Sequence, residues 1–157
     1  MGTRISISVQ TEDFDVSAEL AALRADDASI GAVVNFVGLV RDRNDGAQVA
    51  AMTLEHYPGM TERALEKIVR EAGERWSLAA ARVIHRVGTL HAQDQIVLVA
   101  TASPHRGDAF EACAFIMDYL KTRAPFWKRE DTPAGARWVE ARASDDEAAA
   151  RWDKPAA

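Results

Sequence analysis

The sequence predicts an α+β fold with a mixed or mainly antiparallel sheet that is covered by helices. Segments with strand-like patterns occur both next to one another and separated by helical segments, and two of the helical segments are amphipathic. A doubly wound nucleotide fold is not expected, because no glycine-rich turn leads from a strand into a helix. We expect one domain over residues 1–144, followed by a polar, alanine-rich tail over residues 145–157.

The N-terminal part predicts three strands and one helix. "RISISVQ" (4–10) alternates apolar and polar residues, which is typical of a strand, and "VSAELAALRA" (16–25) indicates a short helix. "IGAVVNFVGLV" (30–40) is a β-branched apolar run that predicts a buried strand. It ends at the charged, turn-rich loop "RDRNDGA" (41–47), and alternation returns in the strand "AAMTLEHY" (50–57).

The C-terminal part predicts two longer helices and three strands. "TERALEKIVREAGERW" (61–76) has apolar residues on one helical face. "ARVIHRVG" (81–88) and "QIVLVATAS" (95–103) are strand-like, and a helix follows over about residues 105–122. "ARWVEAR" (136–142) predicts a last short strand.

Charge and cysteine content exclude several classes of protein. The chain has 19 Lys+Arg against 24 Asp+Glu, a formal net charge of −5 and a pI near 5.4. General binding of nucleic acid or of anionic membranes needs the opposite charge. No apolar run approaches the roughly 20 residues of a membrane span, and the N-terminal residues lack the apolar core of a signal peptide. The single cysteine, Cys113, excludes an internal disulfide, so we expect a cytoplasmic protein.

One short segment gathers cations in this acidic chain. "YLKTRAPFWKRE" (119–130) places Lys121 and Lys128 on either side of Pro125. Pro125 cannot continue a helix, so the chain turns and runs on extended. The turn can bring Lys128 back toward Lys121 between aromatic side chains. Two ammonium groups held close repel each other unless an anion lies between them. The segment therefore predicts a basic, aromatic-walled pocket for an anionic small molecule.

Two simpler interpretations of these cations stay open. A lysine near a helix C-terminus, such as Lys121, can bury its stem and direct its ammonium to solvent and to the helix dipole. The cations after Pro125 can likewise face water in an ordinary loop. This second interpretation does not explain why Phe126 and Trp127 are interleaved with them.

Three further basic residues are candidates for the same pocket. His105 and Arg106 fall in the first turn of the predicted helix, where the helix dipole disfavours cations unless an anion binds there. Equally open is the alternative that no anion binds there, with His105 neutral and Arg106 paired with Asp108 or another acid. Arg41 follows a buried strand and can converge with them or simply meet solvent.

The remaining histidines and the cysteine carry less information. His56, His85 and His91 lack the spacing of a metal site. His85 alternates with Val83 and Val87, which is typical of a structural residue in a strand. Cys113 lies among apolar helix residues, which predicts a buried, inert thiol.

Several stretches in series resemble one protein family. "VNFVGLVRD", "LEHYPGMTE", "VIHRVG", "SPHRGDAFEACAFIMDYLKTRAPFWKRE" and "RWVEAR" occur in this order between about residues 30 and 142. With them, and above all with the Lys-x-x-x-Pro-x-x-Lys segment, the sequence resembles the large, catalytic subunit of molybdopterin synthase. The first 30 residues and the tail match less distinctly.

The resemblance implies a fold, a reaction and partners. The implied fold is of the α/β hammerhead type, in a homodimer that carries one small ubiquitin-like subunit at each end and so forms a heterotetramer. The small subunit's C-terminal Gly-Gly tail, as a thiocarboxylate, would pass sulfur twice to cyclic pyranopterin monophosphate and form the dithiolene of molybdopterin, a step of molybdenum cofactor biosynthesis. The implied activity is that of a sulfurtransferase, with no metal or organic cofactor required and no nucleic-acid or membrane partner.

The resemblance also implies roles for individual residues. Lys121 would be the main catalytic residue, as acid/base or as a transient electrophile partner, and Lys128 would assist it and hold substrate or thiocarboxylate. Arg142, of this or of the neighbouring subunit, would complete the phosphate site. The other substrate-binding residues implied are Leu39, Val40, Arg41, His105, Arg106, Arg129 and Glu130, with Phe36 and Met117 as an apolar wall.

Two other functions remain as alternatives at this stage. A non-catalytic anion-binding or regulatory module would use the same cations without any reaction. A single-stranded nucleic-acid binder would stack bases on Phe126 and Trp127 and show steep salt dependence, against the net charge of −5.

Overall fold

The computed structural model describes residues 2–44, 46–139 and 143–153, and it confirms the α+β class. The strands are β1 (Arg4–Gln10), β2 (Ala32–Leu39), β3 (Arg43–Asn44), β4 (Ala47–Gln48), β5 (Ala51–His56), β6 (Ala80–Arg86), β7 (Gly88–Leu90), β8 (Gln95–Ser103), β9 (Phe126–Thr132) and β10 (Gly135–Val139). The helices are α1 (Val16–Arg24), α2 (Met60–Arg75), α3 (Arg106–Arg123) and α4 (Ala143–Ala150). No helix in the described ranges is long and apolar enough to cross a membrane.

The first sheet has the strand order β1-β6-β8-β2 and is buried on both faces at its centre. β1 pairs with β6 in parallel, whereas the other pairs are antiparallel. Along β8, Val97 and Val99 pack into the core beneath α2 and α3, and Leu98 and Ala100 pack into a second core beside α1. A strand covered on both faces needs a continuous apolar run, and this explains the "VLVATA" composition of β8.

The second sheet has the strand order β10-β9-β5-β7 and is antiparallel throughout. The sequence predicts an extended run after Pro125, and this run is β9, which pairs with β5 on one side and β10 on the other. β7 overlaps the segment "TLHAQD" (89–94), and the small β3–β4 hairpin overlaps "RDRNDGA" (41–47); the sequence predicts loops at both. These elements are two or three residues long, too short to show a period of their own, and their partners define them.

Helix α3 carries the main contact between the helical layer and the first sheet. Seven of its residues are buried, and they are Ala109, Ala112, Cys113, Phe115, Ile116, Tyr119 and Leu120. The spacing of Phe110, Cys113, Met117 and Leu120 predicts one apolar stripe that also carries Lys121, but this is wrong at Phe110, which is 62% exposed. At 100° per residue, Phe110 and Lys121 lie about 20° apart on the helix surface, roughly 130° and 150° from the centre of the buried face. Lys121 is therefore exposed beside the core rather than on the buried stripe.

The C-terminal tail packs onto α3. Ala149 of α4 is buried in the main core, and the Trp152 ring meets those of Trp76 and Phe115 edge-on at 5.5 and 5.7 Å between centroids. The indole Nε1–H of Trp152 donates to Asp118 on α3 at 2.7 Å. The Trp152 carbonyl accepts from the Arg75 guanidinium at 2.7 Å. These contacts anchor the tail, and α4 within it, to the helical layer.

We expect Trp152→Ala to lower the free energy of unfolding by about 2 kcal/mol, since a half-buried aromatic ring and its hydrogen bond are lost together. Urea unfolding at neutral pH measures the change. Asp153→Ala is the matched control, because it removes only an exposed ion pair with Arg123 at 3.6 Å and should cost less than about 0.5 kcal/mol. Equal effects of the two substitutions would show that the tail is not anchored through the indole.

Candidate active site

A pinned turn presents Lys121 next to the start of β9. Helix α3 ends at Arg123, and Ala124 has extended backbone angles (φ −91°, ψ 134°), as expected for the residue before Pro125. The hydroxyl of Thr61, a fully buried residue of α2, donates to the Pro125 carbonyl at 3.0 Å. The Thr61 hydroxyl also accepts from the Tyr57 N–H at 3.0 Å. The turn is thus fixed to a second helix rather than left in solvent.

Lys128 reaches the same region from the middle of β9. It pairs with Leu54 of β5 and with Val139 of β10, so its backbone is held on both sides. Its side chain is 34% exposed and lies 4.0 Å from the Glu130 carboxylate. Strand alternation directs Phe126, Lys128 and Glu130 to one face of the sheet.

The two lysines line one basic groove, which we call the lysine groove. It consists of a cavity of about 340 Å³ and a smaller one of about 130 Å³, and Arg41, Lys121 and Lys128 line both. The other residues around the larger part are Leu54, His85, Leu120, Ala124, Phe126, Val139 and Asp145. The smaller part is also lined by Leu39, Val40, Arg43, Asn44, Val49, Met52, Ile96 and Glu130. Apolar walls around converging cations can hold an anion and strengthen its interactions.

A buried carboxylate supports the Lys128 side of the groove. Glu130 is 3% exposed and accepts from the Asn44 amide at 3.0 and 2.9 Å and from Arg137 at 3.2 Å. Arg137 also donates to the Asn44 carbonyl at 2.9 Å. The network ties the β3–β4 hairpin to β9 and β10. Glu130 therefore has a structural role in addition to lining the smaller part of the groove.

His85 forms part of the groove wall. The residue is 6% exposed, and its ring stacks on Phe126 with centroids 3.8 Å apart and planes inclined by 19°. Burial lowers the pKa of His85 to about 4. The hydrogen bond with the Arg86 carbonyl opposes this effect, and the coulombic influence of Lys121, followed by that of His56, adds to it. The imidazole is consequently neutral near pH 7. The strand pattern around His85 predicts a structural role only.

Of the candidate residues from the sequence, five besides Lys121 lie in the groove. They are Leu39, Val40, Arg41, Lys128 and Glu130. Arg129 faces the other side of the second sheet, where its guanidinium contacts the Thr53 hydroxyl at 3.5 Å and Asp131 at 4.0 Å. Phe36 of β2 is 42% exposed, Met117 packs against the main core, and neither lines the lysine groove.

His105 and Arg106 lie at the opposite end of α3 from Lys121. His105 is the N-cap of the helix and Arg106 its first residue. Fifteen residues at 1.5 Å each separate Arg106 from Lys121 by about 22 Å along the helix axis. Within one chain these two residues and the lysine groove are therefore separate. The predicted Arg142 lies outside the described residues.

Cys113 is chemically inert in this fold. Its thiol is buried in the main core and donates a long hydrogen bond to the Val99 carbonyl, with 3.7 Å between sulfur and oxygen. Burial raises the pKa of Cys113 to about 12, so the thiolate is absent at neutral pH. Because this is the only cysteine of the chain, the protein supplies no thiolate nucleophile.

Two residues of the groove have no signal in the sequence. His85 is 36 residues from Lys121 along the chain, and its strand alternation is that of any core residue. Asp145 belongs to α4 in the predicted tail and adds a carboxylate to the otherwise cationic larger part of the groove. Both reach the groove through long-range packing.

Comparison with known proteins finds matches along most of the chain. The family described as "MoaE protein" matches residues 9–123. A protein of Ralstonia nicotianae named "Molybdopterin synthase catalytic subunit" is 64% identical over 147 residues, which cover 94% of this chain and 84% of the relative.

Solved structures share the fold. The "Molybdopterin biosynthesis MoaE protein" from Burkholderia ambifaria superposes with a TM-score of 0.82 at 61% identity, over 94% of this chain and 97% of the other. A chain from the "Protein-protein complex of subunit 1 and 2 of Molybdopterin-converting factor" of Helicobacter pylori gives a TM-score of 0.68 at 20% identity, over 88% of this chain and 91% of the other. At that identity the likeness concerns the fold alone.

The neutral state of His85 predicts a pH dependence of stability. Its native pKa of about 4 lies below the ordinary value of 6.5, so the unfolded chain binds this proton first as the pH falls. The contribution of His85 is complete above about pH 6.5, declines between about pH 6.5 and 4, and is lost below that. The full loss is about 3 kcal/mol.

Urea unfolding across this range, on wild type and His85→Gln, measures the contribution. The variant lacks the titrating group, so its free energy of unfolding should decline less steeply than that of wild type. His91→Asn, at an exposed histidine, should keep the wild-type slope. Parallel curves for wild type and His85→Gln would contradict the assignment of a neutral, buried imidazole.

Proposed function

The chain belongs to the MoaE protein family, and on that premise we propose that it is the catalytic subunit of a molybdopterin synthase. Its reaction is the transfer of sulfur from the thiocarboxylated C-terminus of a small ubiquitin-like subunit to cyclic pyranopterin monophosphate, which forms the dithiolene of molybdopterin. The observation that carries the proposal is the convergence of Lys121 and Lys128 in one groove, on the family's fold.

The charges of the lysine groove suit this chemistry. Both the thiocarboxylate and the phosphate-bearing pterin are anions, and Arg41, Lys121 and Lys128 provide three cations between apolar walls. Opening of the cyclic phosphate adds a further negative charge, which the same cations stabilise. Lys121 is the proton donor and acceptor at the reacting carbon, and Lys128 holds the thiocarboxylate or the substrate.

The source of the sulfur follows from the cysteine content. The buried Cys113 thiol cannot reach the groove as a nucleophile, so the sulfur arrives on a partner. The thiocarboxylate sulfur forms a bond to a side-chain carbon of the pterin as a carbon–oxygen bond of that carbon breaks, and the oxygen leaves with the opened phosphate or as water. Water then cleaves the acyl–sulfur bond and leaves the partner with an ordinary carboxylate. Two such transfers supply the two dithiolene sulfurs.

The partner is a small subunit with an extended C-terminal tail. An extended Gly-Gly segment has no side chains and can enter a narrow groove, where the lysines meet its terminal negative charge. The Helicobacter pylori protein of the same fold was solved as a complex of two subunits, which supports a partner of this kind.

The phosphate site joins two copies of the chain. If His105 and Arg106 bind the pterin phosphate, the length of α3 prevents them from doing so in the groove of their own chain. We therefore propose that they serve the groove of the neighbouring copy in a homodimer, together with Arg142 and with Arg129 near the rim. The helix start adds free N–H groups to such a phosphate site.

We expect Lys121→Ala to lower the rate of dithiolene formation by 10²- to 10⁴-fold, on the order expected for loss of a general acid–base group. Lys128→Ala should act mainly by raising KM, because it removes a binding charge. The assay mixes the purified protein with the thiocarboxylated small subunit and cyclic pyranopterin monophosphate and measures the product. Lys67→Ala, at an exposed lysine of α2, is the control and should keep the wild-type rate.

The outcomes of this assay separate the candidate functions. If wild type forms no product although the small subunit binds, the enzyme proposal fails and the anion-binding module takes its place. Equal rates for wild type and Lys121→Ala would keep the reaction but remove Lys121 from its centre.

A mixing experiment tests the shared phosphate site. Lys121→Ala and the double variant His105→Ala/Arg106→Ala should each be nearly inactive alone. When the two variants are unfolded and refolded together, about half of the dimers that form are mixed. Each mixed dimer has one intact groove out of two, so about a quarter of the wild-type rate should return. No recovery, with mixed dimers demonstrated by differential tagging, would mean that each groove uses only its own chain.

A further inference from the structure

The hydrogen bond of His85 defines which ring nitrogen carries the proton. Nδ1 lies 2.8 Å from the carbonyl oxygen of Arg86. A carbonyl only accepts, so Nδ1 carries the hydrogen and donates it. The stack on Phe126, with ring centroids 3.8 Å apart, fixes the plane of the imidazole. Nε2 is then an unprotonated acceptor with a defined direction.

The imidazole lines the same cavity as several charged groups. His85 lines the larger part of the groove together with Arg41, Lys121, Lys128 and Asp145, and the charges of Lys121 and His56 both act on its ring. Within the described part of the chain, the hydrogen bond to Arg86 is the one found for the imidazole. His85 Nε2 is a buried acceptor in the same cavity as the flexible Lys121 side chain, whose ammonium is therefore a natural hydrogen-bond donor to it.

We propose that His85 is a positioning residue for the reaction: the Lys121 side chain, which makes no hydrogen bond to His85 in the described structure, turns within the groove so that its ammonium donates to Nε2 and is directed at the reacting atoms. This inference rests on the proposed function and adds a residue to its machinery. A neutral acceptor suits the task better than a carboxylate, because it orients the ammonium without cancelling the charge that attracts the anionic substrate. It also leaves Lys121 able to release its proton.

The native pKa of about 4 keeps this acceptor available at neutral pH. A histidine with its ordinary value of 6.5 would be protonated in part near pH 6.5 and would then repel the lysine rather than hold it. Burial against Phe126 therefore serves the hydrogen bond as well as the packing.

Two amide variants separate the roles of the ring nitrogens. Asparagine can reproduce the Nδ1–H donor to Arg86 but has no atom at the place of Nε2, whereas glutamine can bring an oxygen to that place. We expect His85→Asn to lower kcat on the order of 10- to 100-fold with KM within about two-fold of wild type, as for a misplaced catalytic group. His85→Gln should recover most of kcat. The basic limb of the pH–rate profile should move to lower pH in His85→Asn, and His91→Asn should resemble wild type.

A measurement without substrate tests the contact itself. In protein labelled with ¹⁵N-histidine, the His85 Nε2 resonance should be that of an unprotonated nitrogen, and it should shift in Lys121→Met, which removes the ammonium but keeps the stem. An unchanged resonance would overturn the proposal whatever the activity. A shift in a protein that forms no product would refute the proposed function and leave the contact standing.

The kinetic measurements on the two His85 variants can also contradict the proposal. If His85→Asn and His85→Gln have equal kcat and an unmoved basic limb, His85 only packs against Phe126 and the positioning role is wrong. Urea unfolding of each variant ensures that folded protein is compared.

Discussion

The hydrogen bond from the Thr61 hydroxyl to the Pro125 carbonyl is the contact on which the candidate active site depends. Pro125 ends α3 because it can neither donate a backbone hydrogen bond nor fit into the helix, but this alone leaves the direction of the following chain open. Thr61, fully buried at the start of α2, determines that direction. Phe126 then enters the second sheet beside His56, and Lys128 follows two residues later. The separation of the two lysines is thereby set by a helix, a turn and a strand.

The groove concentrates positive charge on a protein whose net charge is −5. Its larger part carries three cations and, among the described lining residues, the single carboxylate of Asp145. The Glu130 carboxylate is buried and accepts hydrogen bonds from Asn44 and Arg137. Local potential, not net charge, decides what binds here, since low-dielectric walls focus the field of the nearby cations. An acidic chain can thus attract anionic substrates to one groove without general affinity for polyanions.

Sequence reasoning predicted the parts of the site that depend on local chemistry. The end of α3 at Pro125 could be predicted because proline acts on its immediate neighbours in any context, whereas the contact with Thr61 that brings Lys128 toward Lys121 could not. His85 could not be found in this way, because its strand pattern does not tell a groove wall from a core. The β9 strand was expected only as an extended run, since its partners β5 and β10 supply the pairing. The helix-dipole argument and the family resemblance both indicated His105 and Arg106, but the helix length of about 22 Å shows that one chain cannot unite them with Lys121.

The groove lies between the main core and a third core at the second sheet, which consists of Val40, Met52, Leu54, Val87 and Leu90, and packing on both sides keeps it rigid. Lys121 belongs to a helix that packs on the first sheet, and Lys128 belongs to the centre of the second sheet. His85 connects them, because its backbone is in β6 of the first sheet and its ring stacks on Phe126 of β9. Reacting groups must be held within a fraction of an ångström to be effective, and well-packed strands and helices do this better than loops. The stack of His85 on Phe126, which crosses from one sheet to the other, therefore serves the chemistry as well as the packing.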